Sequence, residues 1–436
     1  MAERHPRSDA LEARLAACRQ GLAQERAGAW VTRARHEAEQ RLRALGLPGP
    51  RDEYWRFTRP DLLTAPEPAT AEPFETDEPP VFDEIDRLKI VFTDGRFDPR
   101  ASDDISEAGE GIEIVTLLEA GESDLHWAQE HYGRLEAAGQ QPVPRPLAAL
   151  NTACARNGVL IRVTGKVSRP VSLIYRHYQP QSDAMLHHLV LLEEGAALTL
   201  LENGPGAARF NTVLEVNAAD GARFDHVRAQ GRDHARIAVT HIFARLGCES
   251  GFSSFTLTAN GRMTRNEAVV TLAGDDSTAH LAGAALGDGA DTPFHHDDTV
   301  FVVHGAERCE SRQVFKKVLR NGAVGVFQGK ILVKQGAQKT DGYQMSQALM
   351  LDGDSQFLAK PELEIYADDV ACSHGSTTGA IDEEALFYLR SRGIPRRQAE
   401  NLLVLAFLDA AVEEIRDEAI ANDIRDRLRG WVERRG

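Results

Sequence analysis

The chain has 436 residues, enough for two or three domains with a sizeable core. Hydrophobic residues at 42% and charged residues at 27% are ordinary for a globular protein, while a net charge of −16 argues against a nucleic-acid grip, which wants clustered Lys and Arg. No apolar run approaches the length that spans a bilayer and the N-terminal residues hold no apolar signal core, so the expectation is a cytoplasmic protein that engages neither membrane nor nucleic acid.

Residues from Asp9 to about Leu45 read as two helices. Leu11, Leu15, Cys18 and Leu22 recur at helical spacing, and Ala29, Val31, Ala38, Leu42 and Leu45 form a second stripe that ends at Gly46 and Pro48. Tyr54-Trp55-Arg56-Phe57 is a compact aromatic cluster suited to anchoring this N-terminal helical region, residues 1–63. Residues 64–80 are rich in Pro, Glu, Ala and Thr and read as an extended or disordered linker. A mixed α/β segment over 81–157 follows, with strands at Lys89–Thr93 and Gly111–Leu118, a turn at Asp94-Gly95, and a helical stretch leading to Pro146–Asn157.

From Gly158 the character changes. Short apolar segments alternate with turns, and glycines at 195, 221, 247 and 274 give steps of 26, 26 and 27 residues. A period in that range, without helical interruption, predicts a β-solenoid in which each rung buries its face on the next, over residues 158–380. A large β-sandwich is the alternative. Helices return over 381–436. Asp382 opens one that stops at Gly393, Pro395 opens the next, and Leu402, Leu403, Ala406, Phe407, Ala410 and Val412 make its apolar stripe.

Few motifs carry chemistry. VGVFQGKILVK at 324–334 contains Gly-Lys but fails as a phosphate loop, because Val324 and Ile331 stand where Gly and Ser/Thr are required. GxGxxG, GxSxG and HExxH are absent. The five cysteines, Cys18, Cys154, Cys248, Cys309 and Cys372, are widely spaced, which fits a reducing compartment and excludes a self-contained zinc ribbon; Cys154, Cys248 and Cys309 read as isolated small hydrophobes. In His295-His296-Asp297-Asp298, neighbours on a strand point to opposite faces, so polar solvent-facing or turn-ordering roles are favoured over a metal site. His177, His187 and His188 read as ordinary strand histidines, and the adjacent Asp368-Asp369 cannot face each other across a cleft as a glycan-cleaving pair would.

Cys372 and His374 differ. They sit two apart after an apolar strand, before the small run Gly375-Ser376-Thr377-Thr378-Gly379, which reads as a mobile loop. If the strand reaches His374, thiol and imidazole share one face and form a soft-metal half-site that something else must complete. The bland alternative is a buried cysteine and a hydrogen-bonded strand-end histidine.

Residues 295–394 resemble the SufB/SufD family of iron–sulfur cluster assembly scaffolds. The matching phrases, in order, are HHDDT, FKKVLRNG, VFQGKI, AQKTDGYQ, PELEIYADDV, CSHGSTTG and LFYLRSRGI, with weaker likeness in VFTDGRF and ALNTACARNGVLIRV upstream. Cys-Ser-His-Gly and the cysteine-free LFYLRSRGI resemble the SufD branch; a SufB-like paralogue is the alternative. Ala306-Glu307-Arg308-Cys309 departs from the family's usual turn.

The resemblance implies a mainly β fold, a right-handed parallel β-helix core flanked by N-terminal and C-terminal helical domains. It implies a non-catalytic scaffold that pairs with SufB through the β-helix and docks the ABC-type ATPase SufC on its C-terminal helices. On this chain those docking positions are Leu386, Tyr388, Arg390, Arg392, Gly393, Leu403 and Phe407. It further implies a transient iron–sulfur cluster shared with SufB, with His374 as the functional histidine and Cys372 of lesser weight. Sulfur would come from a cysteine desulfurase system, and ATP chemistry would belong to SufC, with no nucleotide site here. It decides neither a flavin in the complex, nor the cluster type, nor whether the chain forms homodimers alone. A purely structural adaptor and a β-solenoid carbohydrate enzyme are the competing readings.

Overall fold

The computed structural model describes residues 6–22, 27–73, 79–231 and 235–435. Residues 74–78 of the expected linker, and the first five residues of the expected N-terminal region, lie outside these. The two N-terminal stripes form α1 (Pro6–Leu22) and α2 (Ala29–Leu45), and Gly46 ends α2 with a φ of 73°. Leu11, Leu15, Val31, Ala38 and Leu42 are the buried members. After α3 (Asp61–Thr64), the described part of the linker is pinned rather than free: Arg209 donates to the carbonyls of Ala65, Glu67 and Pro66, and Ala71 N–H donates to Pro180 O.

β1 (Leu88–Thr93) and β2 (Arg96–Phe97) form an antiparallel hairpin across Asp94-Gly95, both with positive φ, and β3 (Ile112–Thr116) follows. Next come α4 (Leu117–Glu122), α5 (Arg134–Ala138) and α6 (Pro146–Cys154). Strands then run without a helix: β4 Val159–Val163, β5 Val171–Arg176, β6 Asp183–Leu192, β7 Ala197–Asn203, β8 Arg209–Ala218 and β9 Arg223–Gln230. They continue as β10 Ile237–Leu246, β11 Gly251–Ala259, β12 Met263–Leu272, β13 Thr278–Asp288 and β14 His295–His304. The last are β15 Glu310–Arg320, β16 Val324–Val333, β17 Asp341–Met350, β18 Gln356–Ile365 and β19 Ala371–Gly379. Helices α7 (Glu383–Ser391), α8 (Arg396–Val412) and α9 (Glu418–Arg435) close the chain.

From β4 on, even-numbered strands stack in one sheet and odd-numbered strands in the other, all parallel, so each rung gives one strand to each face of a flattened solenoid. The sandwich alternative is thereby excluded, since a sandwich of hairpins would be antiparallel. Asp183 lies opposite Arg209, a step of 26 residues, and Met263 opposite His295, a step of 32. The repeat therefore widens along the chain, which is why glycine spacing marked only its first half. The left-handed turn position is held by Gly195 and Gly221, then by Glu249, Asp276, Arg308 and Lys339, each with positive φ. Gly247 and Gly274, at the same spacing in sequence, are not the left-handed residues. Each of these turns donates its N–H to the next: Gly195 to Asp220 O, Gly221 to Cys248 O, Glu249 to Asp275 O, Asp276 to Glu307 O, Arg308 to Gln338 O and Lys339 to Asp369 O. The Ala306–Cys309 turn, atypical in sequence, keeps its place in this ladder.

Both outer faces are covered. N-terminal helices pack Leu42, Leu147 and Leu150 on Ile237, Val239 and Met263 of the even sheet, with Tyr54 edge-on to Phe301 at 5.1 Å and the Arg265 guanidinium 4.1 Å from the Trp55 ring. C-terminal helices pack Val404, Leu408, Ala411 and Ile424 on Leu286, Val314 and Val318 of the odd sheet. Coverage of both faces explains the near-continuous apolar strands. Among the described residues, no helix is long and apolar enough to cross a membrane.

Candidate metal half-site at the open end of the solenoid

The two ends of the stack differ. At the start, β2 and β3 lie antiparallel against the first rung; at the finish, β18 and β19 pair on one side only. Pro361 sits in β18, where a residue without N–H is tolerated because the strand is at an edge.

Cys372 and His374 lie on β19, opposite Gly342 and Gln344 of β17. In β17 the residues at 342, 344, 346 and 348 are buried, and Ser346 lies in register with Phe315 of the inner core, so even positions face the lumen; Leu349 is buried on the outer, helix-covered side. Cys372 therefore points inward, packing against Ile331, Val333, Ala337 and Ala367, and Ser346 Oγ meets Ser376 Oγ at 3.1 Å on the same face. Cys372 is partly buried and His374 exposed. A β-carbon on Gly342 would stand 3.2 Å from Cys372 Sγ, so a glycine there leaves space for the sulfur. Burial pushes the Cys372 thiol pKa up, as does Asp341, while the Gly342 backbone acts the other way. The run from Gly375 to Gly379 is not a mobile loop: it continues β19 in register with Met345 to Leu349, because rung stacking supplies the ladder that its small residues alone would not. Among the described residues, no group of three or more His, Cys, Asp or Glu is arranged to hold a metal ion. Thiol and imidazole thus share one face at the mouth, next to an unpaired strand edge.

The remaining candidates fall elsewhere. α7 starts at Asp382, whose carboxylate accepts from the N–H groups of Glu384 and Ala385, and Gly393 takes a φ of 84° past its end. Leu386 is buried, whereas Phe387 and Tyr388 are 73% and 56% exposed; Arg390, Arg392 and Gly393 are exposed. Arg392 donates to the Tyr388 hydroxyl at 3.0 Å. On α8 the expected stripe divides. Leu402 and Ala406 face out, Leu403 is half-buried, and Phe407 lies under the Lys316 ammonium at 4.7 Å.

Several sequence readings are corrected. His296, Asp297 and Asp298 are buried rather than solvent-facing. Lys317 Nζ donates to Asp298 Oδ2 at 2.5 Å and His296 Nδ1 at 2.7 Å inside the lumen; outside it, Asp297 pairs with Arg265 and accepts from Thr58 Oγ1. Cys154 is not isolated but disulfide-bonded to Cys18, joining α1 to α6 with Cα atoms 5.4 Å apart. Cys248 is exposed; Cys309 is buried as expected. His187 and His188 lie in β6, where His187 Nε2 donates to Glu215 at 2.9 Å, whereas His177 falls just past β5 rather than in a strand.

A polar line inside the solenoid was missed altogether. Tyr175 donates to Glu202 Oε2 at 2.8 Å, and His226 Nε2 and Arg228 Nη2 donate to Oε1 at 2.9 and 2.8 Å. Arg228 also donates to Thr240, and Thr240 to Asn266, which donates to Asp298 beside Lys317. Burial alone would raise the Glu202 carboxyl, but Arg228 and His226 hold it well below its usual range. Charged residues at inward strand parity, as in RFDHVRAQ, are the sequence signal that reveals such a line.

The fold is thus that of a parallel two-sheet β-solenoid protein with helices on both faces and a Cys/His pair on its last strand. The profile of the "SUF system FeS cluster assembly, SufBD core domain" family matches residues 175–407. The chain is 30% identical over 419 residues to "Iron-sulfur cluster assembly protein SufD" of Escherichia coli (strain K12), covering 91% of this chain and 93% of that one. It is 26% identical over 413 residues to the protein of the same name from Bacillus subtilis (strain 168), at 91% and 92% coverage. A Synechocystis relative described as "Iron-sulfur cluster assembly SufBD family protein slr0076" is 27% identical over 422 residues, at 91% and 89% coverage. The chain belongs to the SufB/SufD family of iron–sulfur cluster assembly proteins, and within it to the SufD side.

Proposed function

We propose that this chain is a non-catalytic scaffold subunit that assembles nascent iron–sulfur clusters at a shared interface with SufB. The observation that carries this reading is the half-site: Cys372 and His374 face the lumen mouth of the terminal rung, beside the unpaired edge of β19. A partner solenoid that adds to β18 and β19 brings its own thiolate to that mouth, and His374 supplies an imidazole ligand to iron. Cys372 is the weaker ligand, because burial holds its thiol protonated. The cluster is cargo, built from sulfur delivered by a desulfurase system and passed on.

The exposed face made by Phe387, Tyr388, Arg390, Arg392, Gly393 and Leu402 on and between α7 and α8 is the docking surface for the SufC ATPase, with Leu386, Leu403 and Phe407 shaping it from beneath. Because α8 and α9 rest on the odd sheet, movement of a docked ATPase would be transmitted toward the shared interface. The test is co-production with SufB and SufC, comparing wild type with His374→Ala at matched complex yield. A fall of fivefold or more in iron and acid-labile sulfide is expected. Equal loading would make the chain a structural adaptor whose partners hold all the ligands.

A further inference from the structure

One rung inside His374, in strand register with it, lies Gln344. Its side chain is fully buried, its Nε2 donates to Gln313 Oε1 at 2.9 Å, and Gln313 occupies the equivalent place one rung deeper. The three residues form a column along the lumen, in which the Gln344 amide donates to the rung below it. Gln344 Oε1, buried, has no hydrogen-bond partner, and neither has Gln313 Nε2. A buried acceptor without a donor is unfavourable, so an orphan directly beneath a functional side chain calls for a donor. Backbone crowding fixes the amide in place: a β-carbon on Gly329, across the lumen, would stand 2.2 Å from Gln344 Nε2 and 2.6 Å from its Cδ. In strand register above it stands His374, whose ring, when turned inward at the loaded site, presents one N–H.

The geometry points to Gln344 as the positioning residue for His374: its Oε1 accepts the N–H of one imidazole nitrogen, which fixes the tautomer and leaves the other nitrogen, unprotonated, for iron. This rests on the ligand reading of His374. The role needs an acceptor, not an amide. Gln344→Glu therefore retains it, since the Gln313 amide can turn over to donate its orphan Nε2 to the carboxylate. Gln344→Met, similar in length, removes it.

The experiment uses the assembled complex with SufB and SufC, reconstituted with iron and sulfide and reduced to a paramagnetic cluster. Pulsed electron-spin-echo modulation reads the quadrupole coupling of the remote nitrogen of a bound imidazole, which changes with the hydrogen bond it donates. In wild type an imidazole signal is expected, absent in His374→Ala. Gln344→Met should shift the coupling and shorten cluster retention by fivefold or more, with complex yield unchanged; Gln344→Glu should keep retention within twofold of wild type. An imidazole signal with the same coupling and retention in Gln344→Met overturns the positioning role while leaving His374 a ligand. No imidazole signal in wild type removes the ligand reading itself, and the positioning role with it.

Discussion

Lys317 and Asp298 show how much depends on single side chains within the lumen. Both are buried, and the ammonium donates to that carboxylate. Lys317→Met should cost about 3–5 kcal/mol, because it strands a buried charge. Adding Asp298→Asn should recover most of the loss, and urea unfolding of the single and double variants checks it. Burial also pushes His188, His241 and His304 down to about 4, and His296 to about 3. These rings are neutral when folded and titrate near 6.5 when unfolded, so the unfolded chain binds more protons below that value. Stability they confer is complete above pH 6.5 and is lost as the pH falls toward 4, at most about 1.4 kcal/mol per pH unit for each group. The urea midpoint should accordingly be lower at pH 5.5 than at pH 7; equal midpoints would contradict it. None of this was legible from composition. A histidine two residues from an aspartate reads the same on a surface as inside a tube, and only the stacking of rungs decides which.

At the scale of elements, the sequence was informative where local chemistry acts alone. Asp382 as a cap, Gly393 as a stop and Asp94-Gly95 as a hairpin turn all stand where their backbone preferences put them. The solenoid was legible too, because its period is written in turns. Its widening was not, since Arg308 and Lys339 hold left-handed turns that sequence gives no reason to expect. Nor was the strand character of residues 375–379, which comes from β17 rather than from themselves. The split of the α8 stripe has the same origin: periodicity marks an apolar face but not which part of it the sheet covers. Leu408, fully buried against the odd sheet, is on the covered part. Leu408→Ala should destabilise the C-terminal helices by about 2–5 kcal/mol. Limited proteolysis should then cut α7–α9 sooner while the solenoid strands stay protected; unchanged cleavage would place the anchoring elsewhere.

For the molecule as a whole, the Cys-x-His pair is legible in sequence because it is local, whereas its position at a mouth depends on every rung before it. Ala371 N–H donates to Thr340 O, just before β17, so by alternation the N–H groups of 372, 374, 376 and 378 face the open edge. Ser376→Pro removes one of these without touching the ladder to β17. Sedimentation should show the isolated wild-type chain self-associating with rising concentration and the Ser376→Pro chain staying monomeric. Identical behaviour would mean that the edge is not what pairs.

Two unlike ends have a consequence for copy number. A stack with two alike ends could add neighbours head to tail indefinitely, as fibres do. Here the short antiparallel strands β2 and β3 end the sheets at the start, while the long parallel strands β18 and β19 end them at the finish, so a partner that continues the long ladder joins at the finish. Two solenoids meeting finish to finish use the same edge on both sides, so this mode of contact closes on a pair rather than running on as a fibre.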